Sequence, residues 1–128
     1  MSAENAMSKH GMILFGHGAR DPRWAEPFER LATKLRAMRS APVSLAFLEL
    51  MTPDLPTAIK RLAADGCDAL TVVPVFFGQG GHIRRDLPEL LDRCRLMFPS
   101  LTIQCATAVG EDDSVLDAVA QYCVRQIE

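Results

Sequence analysis

The sequence predicts an α/β protein: one domain built on a four-stranded parallel sheet with helices on both faces, in the manner of flavodoxin-like β-α repeats. Three observations predict it. Four apolar runs bounded by Gly or Pro alternate with four segments of helical periodicity. The order β-α-β-α-β-α-β-α puts a helix between successive strands, and strands joined that way run parallel, through right-handed crossovers, with both faces covered. The 128 residues contain no internal repeat and no linker rich in Pro, Gly or Ser, so one domain large enough to bury a core is expected.

Each element has its own signal. "GMILFGHG" (11–18) is a short apolar run that ends in glycine. After Asp21-Pro22, an N-cap with proline in the first turn, "WAEPFERLATKLRAMR" spaces Phe28, Leu31, Leu35 and Met38 as one helical face. "PVSLAFLEL" (42–50) is the second strand, and Thr52-Pro53-Asp54 opens a helix that stops at Gly66. "DALTVVPVFFGQGG" (68–81) is the most apolar run. "HIRRDLPELLDRCRLMF" then places Ile83, Leu87, Leu90, Leu91 and Cys94 on one side, and Pro99 stops the helix. "LTIQCATAVG" (101–110) is the fourth strand, and "DDSVLDAVAQYCVRQIE" ends the chain with Val115, Leu116, Val119, Cys123 and Ile127 expected to face inward. Residues 1–10, with His10 among them, read as a frayed leader, and 11–128 as a single α/β module.

Composition narrows the function. The net charge of -2 offers no positive excess for phosphates, which argues against a nucleic-acid partner. No apolar run approaches the ~20 residues of a membrane helix, and the start lacks the pattern of a secretory signal, so no membrane partner and a cytoplasmic location are expected. Cys67, Cys94, Cys105 and Cys123 form no C-x-x-C pair and are expected to be buried free thiols rather than zinc or redox ligands.

In open α/β sheets ligands bind outside the carboxyl ends of the strands. There the sequence places Gly16-His17-Gly18 with Arg20 after the first strand, and Glu49 near the end of the second. Gly78-Gln79-Gly80-Gly81-His82 with Arg84 and Arg85 follows the third strand. Ala108-Val109-Gly110 and the acidic Glu111-Asp112-Asp113 follow the fourth. Glycine beside histidine lets a large ligand approach the backbone. Two neutral imidazoles on one edge, His17 and His82, make a partial metal site with open positions, which suits chemistry or transfer. A histidine after a strand can equally cap or face solvent. Glu49 is either a proton acceptor or third ligand, its pKa raised by partial burial, or the first residue of a solvated loop. Arg20, Arg23, Arg84 and Arg85 suit a ligand with several carboxylates, or else pair with Asp21, Asp86 and Glu89 on helix faces. Trp24 either packs on the core or flanks a planar ligand. The glycine run lacks the G-x-G-x-x-G order and any following Lys-Ser/Thr, so a phosphate loop is disfavoured.

"ILFGHGARDPRW", "AFLELMTPDLPTAI" and "VVPVFFGQGGHIRRDLPEL" together resemble the CbiX-type sirohydrochlorin chelatases of the class II chelatase group, over nearly the whole chain from Met12. The resemblance implies the chelatase-like version of the predicted fold. It implies ATP-independent insertion of a divalent metal (Co²⁺ first, with Fe²⁺ or Ni²⁺ as alternatives) into sirohydrochlorin, a planar, carboxylate-rich tetrapyrrole, for cobalamin or siroheme synthesis. The metal is then a substrate, and no organic cofactor is needed. The family's metal-binding histidines match His17 and His82, which with Glu49 form the expected catalytic set. Gly16, Gly18, Arg20, Gly80, Gly81, Arg84 and Arg85 are the expected substrate-binding residues. Larger class II chelatases carry two such modules around a cleft, so a chain with one is expected to form a homodimer. Two other readings compete: a carrier that delivers Co²⁺ or Ni²⁺ without inserting it, for which a histidine-rich tail is missing, and a flavodoxin-like regulatory domain indifferent to both histidines.

Overall fold

The computed structural model describes residues 9–78 and 80–128. Its elements are β1 (His10–Gly16), a 3-10 turn (Pro22–Ala25), α1 (Glu26–Met38), β2 (Val43–Phe47), α2 (Leu55–Ala64) and β3 (Ala69–Pro74). They continue with α3 (Gly81–Met97), β4 (Thr102–Cys105), a second 3-10 turn (Val109–Glu111) and α4 (Asp113–Arg125). The sheet has the order β2-β1-β3-β4 and every neighbouring pair is parallel. The predicted class is therefore the observed one.

Alternation along the strands sorts the core onto two faces. Ile13, Phe15, Leu70, Val72 and Ile103 point to one side, where α2 and α3 bury Leu55, Ile59, Leu87 and Cys94 against them. Fully burying a side chain of this size contributes on the order of 1.5–3 kcal/mol, so this face carries most of the stability. The opposite face is thinner. Leu14 and Val43 meet Ala32 of α1, with Leu31, Leu35, Val73 and Val75 only partly covered.

The helix termini follow their sequence signals in part. Asp54 accepts a hydrogen bond from the Thr57 amide at 3.0 Å and caps α2, which gives way to Gly66 at φ +98°. Asp112 caps α4 in the same way. Asp21 and Pro22 start the 3-10 turn rather than α1, which begins a turn later with Pro27 in its first turn. Proline tolerates that place because the first helical amides lack intrahelical partners anyway.

Four other expectations are corrected. His10 is not leader: it belongs to β1, and its Nε2 lies 2.7 Å from Thr71 Oγ1. Lys9 is held as well, its Nζ donating to the Asp65 carbonyl at 2.8 Å, and residues 1–8 of the expected leader lie outside the described residues. Met38 is exposed at the last residue of α1. Cys67 and Cys94 are buried free thiols, but Cys105 and Cys123 are exposed, one on the edge strand and one on α4. The apolar positions of α4 do not face inward: the helix buries no residue, and Leu116, Val119 and Ile127 lie exposed.

Candidate functional site

The carboxyl edge is built by strand pairing that outlasts the strands themselves. Beyond the last paired residues of β1 and β2, the Leu48 amide donates to the Gly16 carbonyl at 2.9 Å and the Glu49 amide to the His17 carbonyl at 3.2 Å. This extra rung sets the two residues side by side, and His17 Nε2 lies 4.0 Å from Glu49 Oε2. Both side chains are about half exposed, at 45% and 51%, so Glu49 is not the buried carboxylate that its place after an apolar run suggested. An imidazole and a carboxylate at that separation can hold one cation between them or pass a proton.

The glycines at this edge do different work. Gly18 has φ +101°, and a β-carbon there would collide with the Glu49 carbonyl oxygen, so the His17–Glu49 juxtaposition depends on it. A β-carbon on Gly16 would come within 3.0 Å of Phe28 Cε1 and 3.3 Å of Trp24 Cη2. The space these two residues leave is thus taken by protein. Around Gly78, Gly80 and Gly81 nothing among the described residues lies within 4 Å of such an atom, and there the described backbone is open to a ligand.

Gly80 is the N-cap of α3 and has no capping side chain, so the first amides of the helix present partial positive charge at this edge. His82 lies in the first turn of α3. β1 and β3 are adjacent, with Phe15 opposite Pro74, so the segments carrying His17 and His82 leave neighbouring strands at the same edge. Arg84 and Arg85 follow on exposed helix surface, Arg85 Nε lying 3.7 Å from Asp86 Oδ1.

Arg20 is exposed in the bend after β1. Arg23 is committed elsewhere: its Nε and Nη2 grip Asp21 at 3.1 and 2.7 Å, and this guanidinium holds the Asp21 carboxyl below its usual range. Trp24 packs on Phe28 (ring centroids 4.7 Å apart) and faces Phe47 at 6.2 Å, so it props the edge from below. Gly110 is wedged where a β-carbon would overlap the Phe77 backbone, and its amide donates to the Phe76 carbonyl at 3.1 Å.

Two residues escaped sequence reasoning. Phe77 and Leu50 are large apolar side chains left 65% and 58% exposed at this edge, and Leu50 is held at φ +68°. Phe77 reads as the tail of a buried strand; the available signal was Pro74, which ends the ladder before it. A groove of about 510 Å³ runs from Glu49 past Met51 and Pro53 to Thr57. Among the described residues no three His, Cys, Asp or Glu side chains converge; the side chain of His82, the other expected ligand, lies outside the described ones.

Fold and edge together define an open parallel α/β module whose donors and glycine loops crowd the carboxyl ends of its two central strands and β2. The chain belongs to the CbiX family, whose model matches residues 11–125. It is 37% identical over 90 residues to the sirohydrochlorin cobaltochelatase of Methanothermobacter thermautotrophicus, spanning 70% of this chain and 63% of that protein. It is 34% identical over 111 residues to the sirohydrochlorin cobaltochelatase of Saccharolobus solfataricus, spanning 82% of this chain and 86% of that one. Among solved structures, a cobalamin (vitamin B12) biosynthesis CbiX protein described from Marinobacter aquaeolei superposes with a TM-score of 0.83 at 31% identity, covering 92% of this chain and 97% of that one. The sirohydrochlorin chelatase SirB from Bacillus subtilis subspecies spizizenii, in complex with cobalt, gives a TM-score of 0.75 at 29% identity. The match takes in 88% of this chain but only 49% of SirB.

Proposed function

We propose that this chain is a sirohydrochlorin chelatase that inserts a divalent metal without ATP, and that the metal is Co²⁺ first, with Fe²⁺ and Ni²⁺ as alternatives. The observation that carries the reading is the half-exposed His17–Glu49 pair, set 4.0 Å apart at the carboxyl edge of a CbiX-family fold. Relatives named both cobaltochelatase and ferrochelatase support the substrate and leave the metal open.

In the proposed mechanism His17 and His82 hold the metal with coordination positions to spare. Ring nitrogens of the substrate displace water from it. Two metal–nitrogen bonds replace two N–H bonds, so two protons must leave and no electron moves. Glu49 takes up one proton as it is released, and the second passes to water at the open edge. The open backbone at Gly80 and Gly81 lets a flat ring lie against the edge, and exposed Phe77 and Leu50 give its faces apolar contact. Arg20, Arg84, Arg85 and the amino end of α3 attract its carboxylates.

A site open on one side needs a second wall. This chain matches about half of SirB, and we assign the second wall to a second copy, making the active form a homodimer. The cytoplasm is the proposed compartment; unpaired buried Cys67 and Cys94 support it, since thiols persist where the medium is reducing.

The test is anaerobic insertion, followed by the absorption spectrum of sirohydrochlorin with Co²⁺, Fe²⁺ or Ni²⁺. The wild type is expected to exceed the spontaneous rate, His17→Ala and His82→Ala to lose about 100-fold or more, and Glu49→Gln to lose about 10²–10⁴-fold in rate. Rates equal to the protein-free control for all three metals would sink the enzyme and leave a metal carrier.

A further inference from the structure

Phe76 and Phe77 leave β3 together and part at once. Pro74 ends the strand, and one more rung, the Val75 amide donating to the Phe15 carbonyl at 2.8 Å, extends its pairing. Successive side chains of an extended chain point to opposite sides. Phe76 accordingly packs against the main core, while Phe77 stands 65% exposed at the carboxyl edge. Left in water, the Phe77 ring forgoes the stabilisation that burial gives an aromatic side chain.

The ring is loose, but its backbone is held, and Gly110 holds it. A β-carbon on Gly110 would overlap Phe77 Cα and the Phe77 carbonyl oxygen, so only glycine lets the two chains come so close. The Gly110 amide donates to the Phe76 carbonyl at 3.1 Å and clamps the same segment. Backbone freedom is not why glycine stands there: the positive-φ glycines among the described residues are Gly18 and Gly66. Gly110 is itself fixed. It is the middle residue of the 3-10 turn Val109–Glu111, where the Glu111 amide donates to the carbonyl of fully buried Ala108 at 2.9 Å. The other side of the edge uses the same device, with Gly18 closing on the Glu49 carbonyl. There a glycine places a carboxylate; here one places an aromatic ring.

We propose that Gly110 is a positioning residue for the substrate: by closing on the Phe77 backbone it holds the Phe77 ring out at the carboxyl edge, as an apolar surface for one face of the flat tetrapyrrole. This role rests on the chelatase reading and concerns the macrocycle rather than the metal. Phe77 touches the ring system, and Gly110 acts through Phe77. Aromatic contacts favour offset or edge-on arrangements, so a shift of the backbone that carries the ring loses contact. No bond forms or breaks in this contact. Its loss therefore weakens binding, and is read in KM rather than kcat.

Anaerobic insertion of Co²⁺ at varied sirohydrochlorin concentration tests it. Phe77→Ala and Gly110→Ala are each expected to raise KM about tenfold with kcat little changed. Phe77→Tyr keeps the ring and is expected to stay near the wild-type KM. The double variant is expected to be no worse than either single one, because Gly110 acts only through the ring. Ala108→Gly loosens the turn without overlap; it is expected to raise KM by less, and not at all in the Phe77→Ala background. Co²⁺ affinity, titrated without tetrapyrrole, is expected to be unchanged throughout. Additive losses in the double variant, or a fall in kcat or Co²⁺ affinity in Gly110→Ala, would make Gly110 a merely structural residue and overturn its positioning role. A wild-type KM in Phe77→Ala would overturn it as well. Should Gly110→Ala fail to fold, Ala108→Gly in the two backgrounds decides alone. A wild type no faster than the protein-free control overturns the chelatase reading and this role with it.

Discussion

Gly18 shows how much one missing methyl group decides. Its φ of +101° is costly for any other residue, and the space for a β-carbon is filled by the Glu49 carbonyl. Gly18→Ala is expected to destabilise the fold by about 2–4 kcal/mol, visible as a lower urea midpoint, and to lower insertion activity by displacing Glu49 from His17. Gly80→Ala meets no neighbour among the described residues and is expected to cost less than about 1 kcal/mol. The buried thiols give a pH prediction. Burial pushes Cys67 and Cys94 above the usual thiol range, so the unfolded chain loses these protons first as pH rises. Their contribution is fully present below the unfolded thiol pKa of about 8.5 and is lost as pH rises through the folded values. Urea unfolding at pH 8 and pH 10 checks this, and Cys67→Ala/Cys94→Ala is expected to flatten that alkaline decline.

At the scale of the element, three aspartates recur in one role. Asp21, Asp54 and Asp112 each precede a helical turn and accept a backbone amide from it, and their carboxyl groups are drawn below the usual range first by side-chain hydrogen bonds, from Arg23, Thr57 and Ser114, and then by those amides. Such groups stabilise above their unfolded pKa of about 3.9, and the effect is lost as pH falls through the lower folded values. Asp54→Ala is expected to cost about 1 kcal/mol at neutral pH. Asp54→Asn keeps the cap but removes this residue's share of the acid sensitivity, which thermal melts between pH 2.5 and 6 would show. The cap residues are legible in the sequence because the interaction is local. The start of α1 is less so: Asp21-Pro22 and Glu26-Pro27 both carry start signals, and packing of Trp24 on Phe28 decides between them.

For the whole molecule, the buried α2/α3 face of the sheet sets the response to substitution. Leu70 is fully buried beneath α2 and α3, and Leu70→Ala is expected to cost about 2–5 kcal/mol, read from the melting temperature. The class of fold and the order of elements were readable along the chain, and so was the sheet edge at which the proposed site residues gather. Periodicity, caps and glycines are local, and topology then fixes which ends of the strands converge. Tertiary structure alone decided the rest. It paired His17 with Glu49 through a backbone rung beyond the strands and left Phe77 exposed. It also turned the apolar side of α4 to solvent, where periodicity implied a core. A periodic pattern records that a face will be buried, but not against which partner; only the path of the backbone in space settles that.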